Sequence, residues 1–318
     1  MSPHLQRSDD EIAIEPLKAR EELTACLSRP KASIPPKYFY DLQGSKLFEA
    51  ICSLDEYYLT RTESAILLQN GGAIAEHVGK GATLVDLGAG NCTKAAALVD
   101  VLQLRAYAPV DISAAFLWQA VVPLARSFPN LEIHPVELDF SENFSLPPKV
   151  QSLPRKVFFY PGSSLGNFTP LQAQRLLHNL HNAGGDLLFG LDLVKDTATL
   201  EAAYDDELGV TAAFNLNALR HVNLLLGSDF NLKNWRHCAI FNQAQSRIEM
   251  YLRANQACHV CWPGGTRDFS EGEMIHTENC YKFTREGATD MLRRAGFGDV
   301  MCWTDPAETY LVCHARAH

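Results

Sequence analysis

The sequence predicts an α/β protein: a doubly wound, mostly parallel sheet with a second, α+β lobe inserted towards its C-terminal end. Three observations predict it. Short apolar runs alternate with helical patterns between residues 82 and 195. A glycine turn follows the first of those runs. The rhythm then changes over residues 195–282 before helix and strand return in 283–318. Parallel strands covered on both faces read as near-continuous apolar runs, so this alternation points to crossover units.

Taken in order, residues 1–35 are polar and helical in pattern and stop at Ile34-Pro35-Pro36, because a residue before proline avoids the helical region. An amphipathic helix is expected from about Gly44 to Cys52, inside an aromatic-rich segment. A further helix should open near Thr60 or Thr62, with Thr62-Glu63 as its cap, and run towards Gln69. The core strands follow as ATLVDLGAG (82–90), AYAPVDIS (106–113), LEIHPVELDF (131–140), RKVFFYPGSSLGNF (155–168) and GGDLLFGLDLV (184–194). Helical stretches lie at 114–128 and 169–183. After Lys195 a helical segment precedes strand-like runs at 237–242, 246–254 and 256–262, and the chain ends in helix 284–297 and strands 299–304 and 308–315. The expected division is a helical segment 1–60 contributing to the substrate lobe, a core of 61–195 with 283–318, and a substrate-binding lobe of 196–282.

Composition narrows the function. The 318 residues are 47% hydrophobic and 20% charged, enough apolar material for a large core. A formal charge of −9 argues against a broad basic surface for nucleic acid or acidic membranes. The longest apolar stretches, 121–125 and 187–191, fall far short of the roughly 20 residues of a membrane helix. The polar, acidic first fifteen residues do not resemble a signal peptide, and the nine cysteines are odd in number and irregular in spacing. A cytoplasmic, monomeric protein with free thiols is expected. Cys258 and Cys261 have a metal-type gap, but no second pair matches them, so no metal site is expected.

Chemistry concentrates at the strand ends. Gly88 and Gly90 follow the first strand, where the backbone must turn sharply and approach a ligand without a Cβ. The third glycine of the dinucleotide fingerprint is replaced by the run Asn91-Cys92-Thr93, which disfavours a pyrophosphate cradle. Asp86 precedes the turn, and Asp111 ends the next strand, where an acid can accept from ribose hydroxyls. Asp139 and Phe140 end the third strand, placed for an adenine amino group and ring. Acids after successive strands beside a glycine turn point to a nucleoside.

These motifs carry a resemblance. FYDLQGSKLFEAI (39–51), EYYLTRTE (56–63), DLGAGN (86–91), PVDIS (109–113), FYPGSSLGNF (159–168), AYDDELGVTAAFN (203–215), RIEMYL (247–252) and TENCYKF (277–283) are similar to the histidine-specific N-α-methyltransferases of ergothioneine biosynthesis and their ovothiol and alkaloid relatives. The resemblance runs from about Tyr38 to the C-terminus. It implies a class I methyltransferase, Rossmann-like core with a lobe closing over an amino acid, and S-adenosylmethionine as methyl donor. The cofactor set it implies is Gly88, Gly90, Lys94, Asp111, Asp139 and Phe140. Its substrate set falls on Gly162, Asn167, Tyr204, Met250, Glu278 and Cys280, with Tyr40 and Tyr57 beside the reacting amine.

Residue chemistry agrees. Asn167 and Tyr204 can donate to a substrate carboxylate, and as neutral donors they are expected to hold the zwitterion without a full charge. Glu278 can pair with an imidazole N–H. The resemblance implies a second imidazole contact, usually a serine; the matching residue is Cys280, a larger and poorer hydrogen-bond partner, so histidine recognition falls to Glu278. The expected reaction is direct methyl transfer to the amine without a metal, repeated to the trimethylated betaine. Catalysis then comes from positioning, and tyrosine faces can stabilise the growing ammonium. The alternatives are another amino acid, such as tyrosine, tryptophan or a thiol-bearing histidine, or a non-catalytic module binding nucleoside or amino acid.

Overall fold

The computed structural model describes residues 9–140 and 144–317, with side chains from residue 17 onward. The first part is helical: α1 (Asp9–Leu27), a 3₁₀ turn (Pro36–Phe39), α2 (Leu42–Ile51), α3 (Tyr58–Gln69) and α4 (Gly71–Val78). Asp41 caps α2 by accepting from the Gly44 N–H at 2.7 Å, and also accepts from Asn217 at 2.8 Å. Helix α3 opens at Tyr58 rather than at Thr60 or Thr62. Glu63 is therefore not its cap but lies inside the helix, 1% exposed, because its carboxylate is used by distant elements described below.

Next come β1 (Thr83–Leu87), α5 (Thr93–Val99), β2 (Ala106–Asp111), α6 (Ala114–Ser127), β3 (Glu132–Ile133), β4 (Val136–Glu137), α7 (Pro148–Gln151), β5 (Lys156–Tyr160), α8 (Pro170–Asn182) and β6 (Asp186–Asp192). Helix α8 is started by a capping box between Thr169 and Gln172. The expected third strand is broken into β3 and β4 around His134-Pro135, each part pairing with β2. Proline has no N–H for the ladder, which accounts for the interruption.

The chain then forms α9 (Thr197–Ala202), α10 (Val210–Leu226), β7 (Trp235–Asn242), β8 (Arg247–Ala254), β9 (Cys258–Trp262), β10 (Gly265–Phe269) and β11 (Met274–Tyr281). It closes with α11 (Arg285–Arg294), β12 (Phe297–Thr304) and β13 (Tyr310–Ala317). The large sheet has the order β12-β13-β6-β5-β1-β2-β3, with β4 also on β2. It is parallel from β3 to β6, while β13 runs antiparallel to both β6 and β12. Strand order reverses between β1 and β5, so their carboxyl ends open the crevice where ligands of such sheets bind.

Alternation along the strands builds two cores. Leu84, Tyr107, Phe159 and Leu188 face one cluster, and Val85, Ala108, Phe158 and Leu187 the other. The first cluster continues into Phe214, Ile248, Met250 and Ile275, so the second lobe shares the core of one sheet face. That lobe is the antiparallel sheet β11-β8-β7 with the β9–β10 hairpin. The β11–β8 register slips between His276 and Glu278, and such an irregularity re-aims the side chains that follow it. Cys258 and Cys261, three apart on β9, fall on opposite strand faces. Among the described residues no helix is long and apolar enough to cross a membrane.

Candidate active site

The β1–α5 turn needs its glycines. Gly88 and Gly90 have φ of +72° and +54°, and open space lies where a Cβ on Gly88 would sit. The Gly88 and Ala89 N–H groups donate to Val110 O at 2.8 and 3.0 Å, which ties the turn to the end of β2. There the Asp111 carboxylate accepts from Gly90 N and Ser113 N, both at 2.9 Å. Burial raises its pKa and these backbone donors oppose the rise. Asp111 is thus fixed in place with lone pairs left for hydroxyl donors. Asp86, beneath the turn, accepts from Tyr107 OH at 2.7 Å, has a second oxygen without a hydrogen-bond partner, and is pushed up to about 7 by burial. Asp139 lies 3.4 Å from the Lys37 ammonium, and the Phe140 ring meets Tyr160 edge-on at 5.8 Å. The glycine turn, the acid at the next strand end and a half-buried aromatic therefore suit an adenosyl group.

A buried carboxylate links this rim to the neighbouring loop. Glu63 pairs with the Lys94 ammonium, accepts from Gly162 N at 3.0 Å and accepts from Tyr310 OH at 2.9 Å. It joins α3, α5, the loop after β5 and β13. Room for it comes from Gly190 on β6, where an added Cβ would lie 1.8 Å from Glu63 Oε1 and 2.6 Å from Tyr310 OH. Gly190→Ala is expected to cost about 1–3 kcal/mol of stability, as overpacking generally does. Urea unfolding checks this, and an unchanged midpoint contradicts it.

The loop after β5 turns through Gly162 (φ +77°) and Ser163 (φ +59°) into the 3₁₀ segment Ser164–Asn167. A Cβ at Gly166 would lie 2.8 Å from the Tyr281 carbonyl, so glycine lets this loop approach β11. Across that approach Asn167 Nδ2 donates to Glu278 Oε1 at 3.0 Å. The structure brings Tyr40, Tyr57, Gly162, Asn167, Tyr204, Met250, Glu278 and Cys280 around one pocket. Gly88, Gly90, Lys94, Asp111, Asp139 and Phe140 stand outside that lining, towards the rim.

Aromatic rings wall the pocket. Phe48 meets Tyr40 at 5.8 Å and Tyr57 at 6.1 Å, Phe214 meets Tyr40 at 5.7 Å, and Tyr57 meets Tyr204 at 6.0 Å. Burial holds the pKa values of Tyr40 and Tyr57 well above the ordinary phenol value, so both are neutral hydroxyls. Neither is a phenolate base.

Sequence reasoning did not find four features of this site. Phe48 and Phe214 complete the aromatic wall, and Thr211 lines the pocket with a buried Oγ1 that has no hydrogen-bond partner. The fourth is a charged group behind one of the neutral donors. Lys282, with its side chain 0% exposed, donates to Tyr204 OH at 3.1 Å and Cys280 Sγ at 3.2 Å, and pairs with Asp192 at 2.7 Å. The signal was present: Glu278, Cys280 and Lys282 alternate with period two, which on a strand puts all three on one face.

Glu278 is 6% exposed, and burial raises its carboxyl to about 8 while Lys282 opposes the rise. A raised folded-state pKa in an acid stabilises the fold at low pH, fully below the unfolded value near 4.5, and that contribution is lost as pH climbs through about 8. Relative to Glu278→Gln, the protein is expected to lose on the order of a few kcal/mol between those limits. Urea melts across a pH series check this, and a pH-independent difference contradicts it.

A glycine turn with an acid at the next strand end, on a doubly wound sheet, and an aromatic pocket with amide, hydroxyl and carboxyl groups suit a group-transfer enzyme acting on a small polar molecule. Residues 19–317 match the family described as histidine-specific methyltransferase, SAM-dependent, and the chain belongs to that family. It is 40% identical over 297 residues to the histidine N-alpha-methyltransferase of Mycolicibacterium smegmatis, covering 91% of each chain. It is 38% identical over 300 residues to that of Mycobacterium tuberculosis, covering 92% of each. The N-methyltransferase fsqC of Aspergillus fumigatus is more distant, at 28% identity over 87% of this chain and 78% of the relative.

Proposed function

We propose that the protein methylates the α-amino group of L-histidine, carrying it to the N,N,N-trimethyl betaine, hercynine. The observation that carries the reading is the Asn167–Glu278 contact at 3.0 Å inside one aromatic pocket, next to the rim held by Asp111. A carboxylate reader and an imidazole reader then face a single cavity. S-adenosylmethionine, when bound, supplies an electrophilic methyl on a sulfonium and leaves as S-adenosylhomocysteine.

The residues present fit that cofactor. Gly88 leaves open space for close approach, and Asp111 has acceptor capacity for ribose hydroxyls. Lys94, in the first turn of α5, and the Asp139-Phe140 pair extend the rim at either side. On the substrate side, Asn167 has a second amide hydrogen beyond the one given to Glu278, and Tyr204 offers a hydroxyl, both for the carboxylate. Glu278, protonated at neutral pH in the empty pocket, can donate to a neutral imidazole nitrogen or ionise against an imidazolium. Tyr57 and Tyr40 orient the amine through their hydroxyl oxygens. Burial keeps both phenols protonated, so the amine proton leaves by a path through the Tyr57 hydroxyl and water rather than to a phenolate, and the rate is expected to rise with pH towards the amine pKa. The ring faces of Tyr40, Tyr57 and Phe48 suit an ammonium that grows with each transfer.

Cys280 in the recognition strand favours one second reading, an N-methyltransferase for another aromatic or thiol-bearing amino acid. Both readings are separated by mass spectrometry of the product and by S-adenosylhomocysteine release across an amino-acid panel. Turnover of histidine to the trimethyl product supports the first. Turnover of tryptophan or tyrosine with none of histidine replaces it with the second, and binding without transfer supports a sensing module. Nine unpaired cysteines among the described residues suit a reducing cytoplasm. A monomer is the expected state, which light scattering checks.

A further inference from the structure

We infer that Lys282 is a positioning residue for the substrate carboxylate, acting through Tyr204 and Cys280. The inference extends the amino-acid methyltransferase reading and rests on it. An ammonium has three hydrogens, and the three partners of Lys282 account for all of them: Asp192 Oδ2 at 2.7 Å, Tyr204 OH at 3.1 Å and Cys280 Sγ at 3.2 Å. A hydroxyl or thiol that accepts from an ammonium must direct its own hydrogen elsewhere. Tyr204 OH and Cys280 Sγ are 2.7 Å apart, so one hydrogen bridges them. The other is left to point at a ligand. The pocket end formed by these two groups is therefore a donor, suited to an acceptor-only carboxylate and unsuited to an amide N–H or an amine.

Charge reinforces the direction. Asp192 is 0% exposed and pairs with Lys195 as well as Lys282, while also accepting from Tyr58 OH at 2.9 Å. Lys195 and Lys282 share the Asp192 carboxylate, so the Lys282 ammonium behind Tyr204 is only partly neutralised by it, in surroundings where water screens little. Glu278, which accepts from Asn167 at 3.0 Å, lines the same pocket, and once ionised it repels a second carboxylate. The pocket is polarised, so a zwitterionic amino acid has one favoured orientation, carboxylate towards Tyr204 and side chain towards Glu278.

The test compares L-histidine with L-histidinamide, which keeps the amine and imidazole but lacks the carboxylate. Steady-state constants are measured for the unaltered protein, Lys282→Met and Lys282→Arg, with S-adenosylhomocysteine affinity as the check on folding. The unaltered protein is expected to prefer histidine. Lys282→Met should lose about 100-fold of that preference, mainly through KM for histidine, as losing a charge-assisted contact generally does. Lys282→Arg should restore most of it. An unchanged preference in Lys282→Met, or equal losses on both substrates, overturns the inference. If Lys282→Met does not bind S-adenosylhomocysteine, Lys282→Gln carries the same test: loss of the preference supports the relay and retention refutes it. Failure of the unaltered protein to methylate histidine at all is a different result, and it removes the functional reading instead.

Discussion

Glu278→Ala is expected to lower kcat/KM for L-histidine by about 100-fold or more, since truncating one partner of a buried polar pair costs roughly 2–5 kcal/mol. Affinity for S-adenosylhomocysteine should change by less than about threefold, because additivity holds for sites that share no partner. Glu278 lies on β11 in the lobe, whereas the rim is built on β1, the β1–α5 turn and the end of β2. The side chain has one direct hydrogen-bond partner, Asn167, and an electrostatic one, Lys282. Removing it leaves Asn167 without its acceptor and leaves the Lys282 side of the pocket unopposed. Histidine should then lose its advantage over apolar amino acids of similar size. Parallel isothermal titrations with histidine and with S-adenosylhomocysteine check the asymmetry. Equal losses in both mean that Glu278 supports the fold rather than reads the substrate.

The mirror-image result is expected for Asp111→Ala. Affinity for S-adenosylhomocysteine should fall by about 100-fold, from lost hydroxyl contacts and from a loosened turn. Asp111 holds Gly90 N and Ser113 N at 2.9 Å each, so its removal frees both the glycine turn and the entry to α6. Asp111→Asn retains an acceptor oxygen and should fall between the two. Unaltered cofactor affinity in Asp111→Ala places the nucleoside elsewhere on the molecule.

Much of this architecture was legible because local chemistry and global fold agree. The DLGAGN turn needs positive φ at Gly88 and Gly90 and has it. Apolar strands and intervening helices give the crossover pattern directly. What stayed hidden depends on partners far away in sequence. Glu63 reads as an exposed helix cap beside Thr62, yet its partners lie 31, 99 and 247 residues away. No local pattern announces them, and α3 opens at Tyr58 without a side-chain cap, so its start carries no capping signal. The break at His134-Pro135 was legible in the proline itself, which has no N–H for the ladder. Lys282 has the opposite lesson. A lysine two residues beyond Cys280 reads as a solvated strand end, and only the tertiary approach of Asp192 and Tyr204 lets its charge be buried. Thr211 follows a helix start held by Asp206, which accepts from Val210 N and Thr211 N. The backbone role is local and foreseeable, while the pocket-facing hydroxyl is not.

The most direct test is a crystal structure with S-adenosylhomocysteine and L-histidine bound together. The account expects the ribose at Asp111, the histidine carboxylate at Asn167 and Tyr204, the imidazole at Glu278, and the amine between Tyr57 and the cofactor sulfur. A nucleoside seated away from the β1–β2 rim, or an amino acid reversed in the pocket with its carboxylate at Glu278, contradicts it.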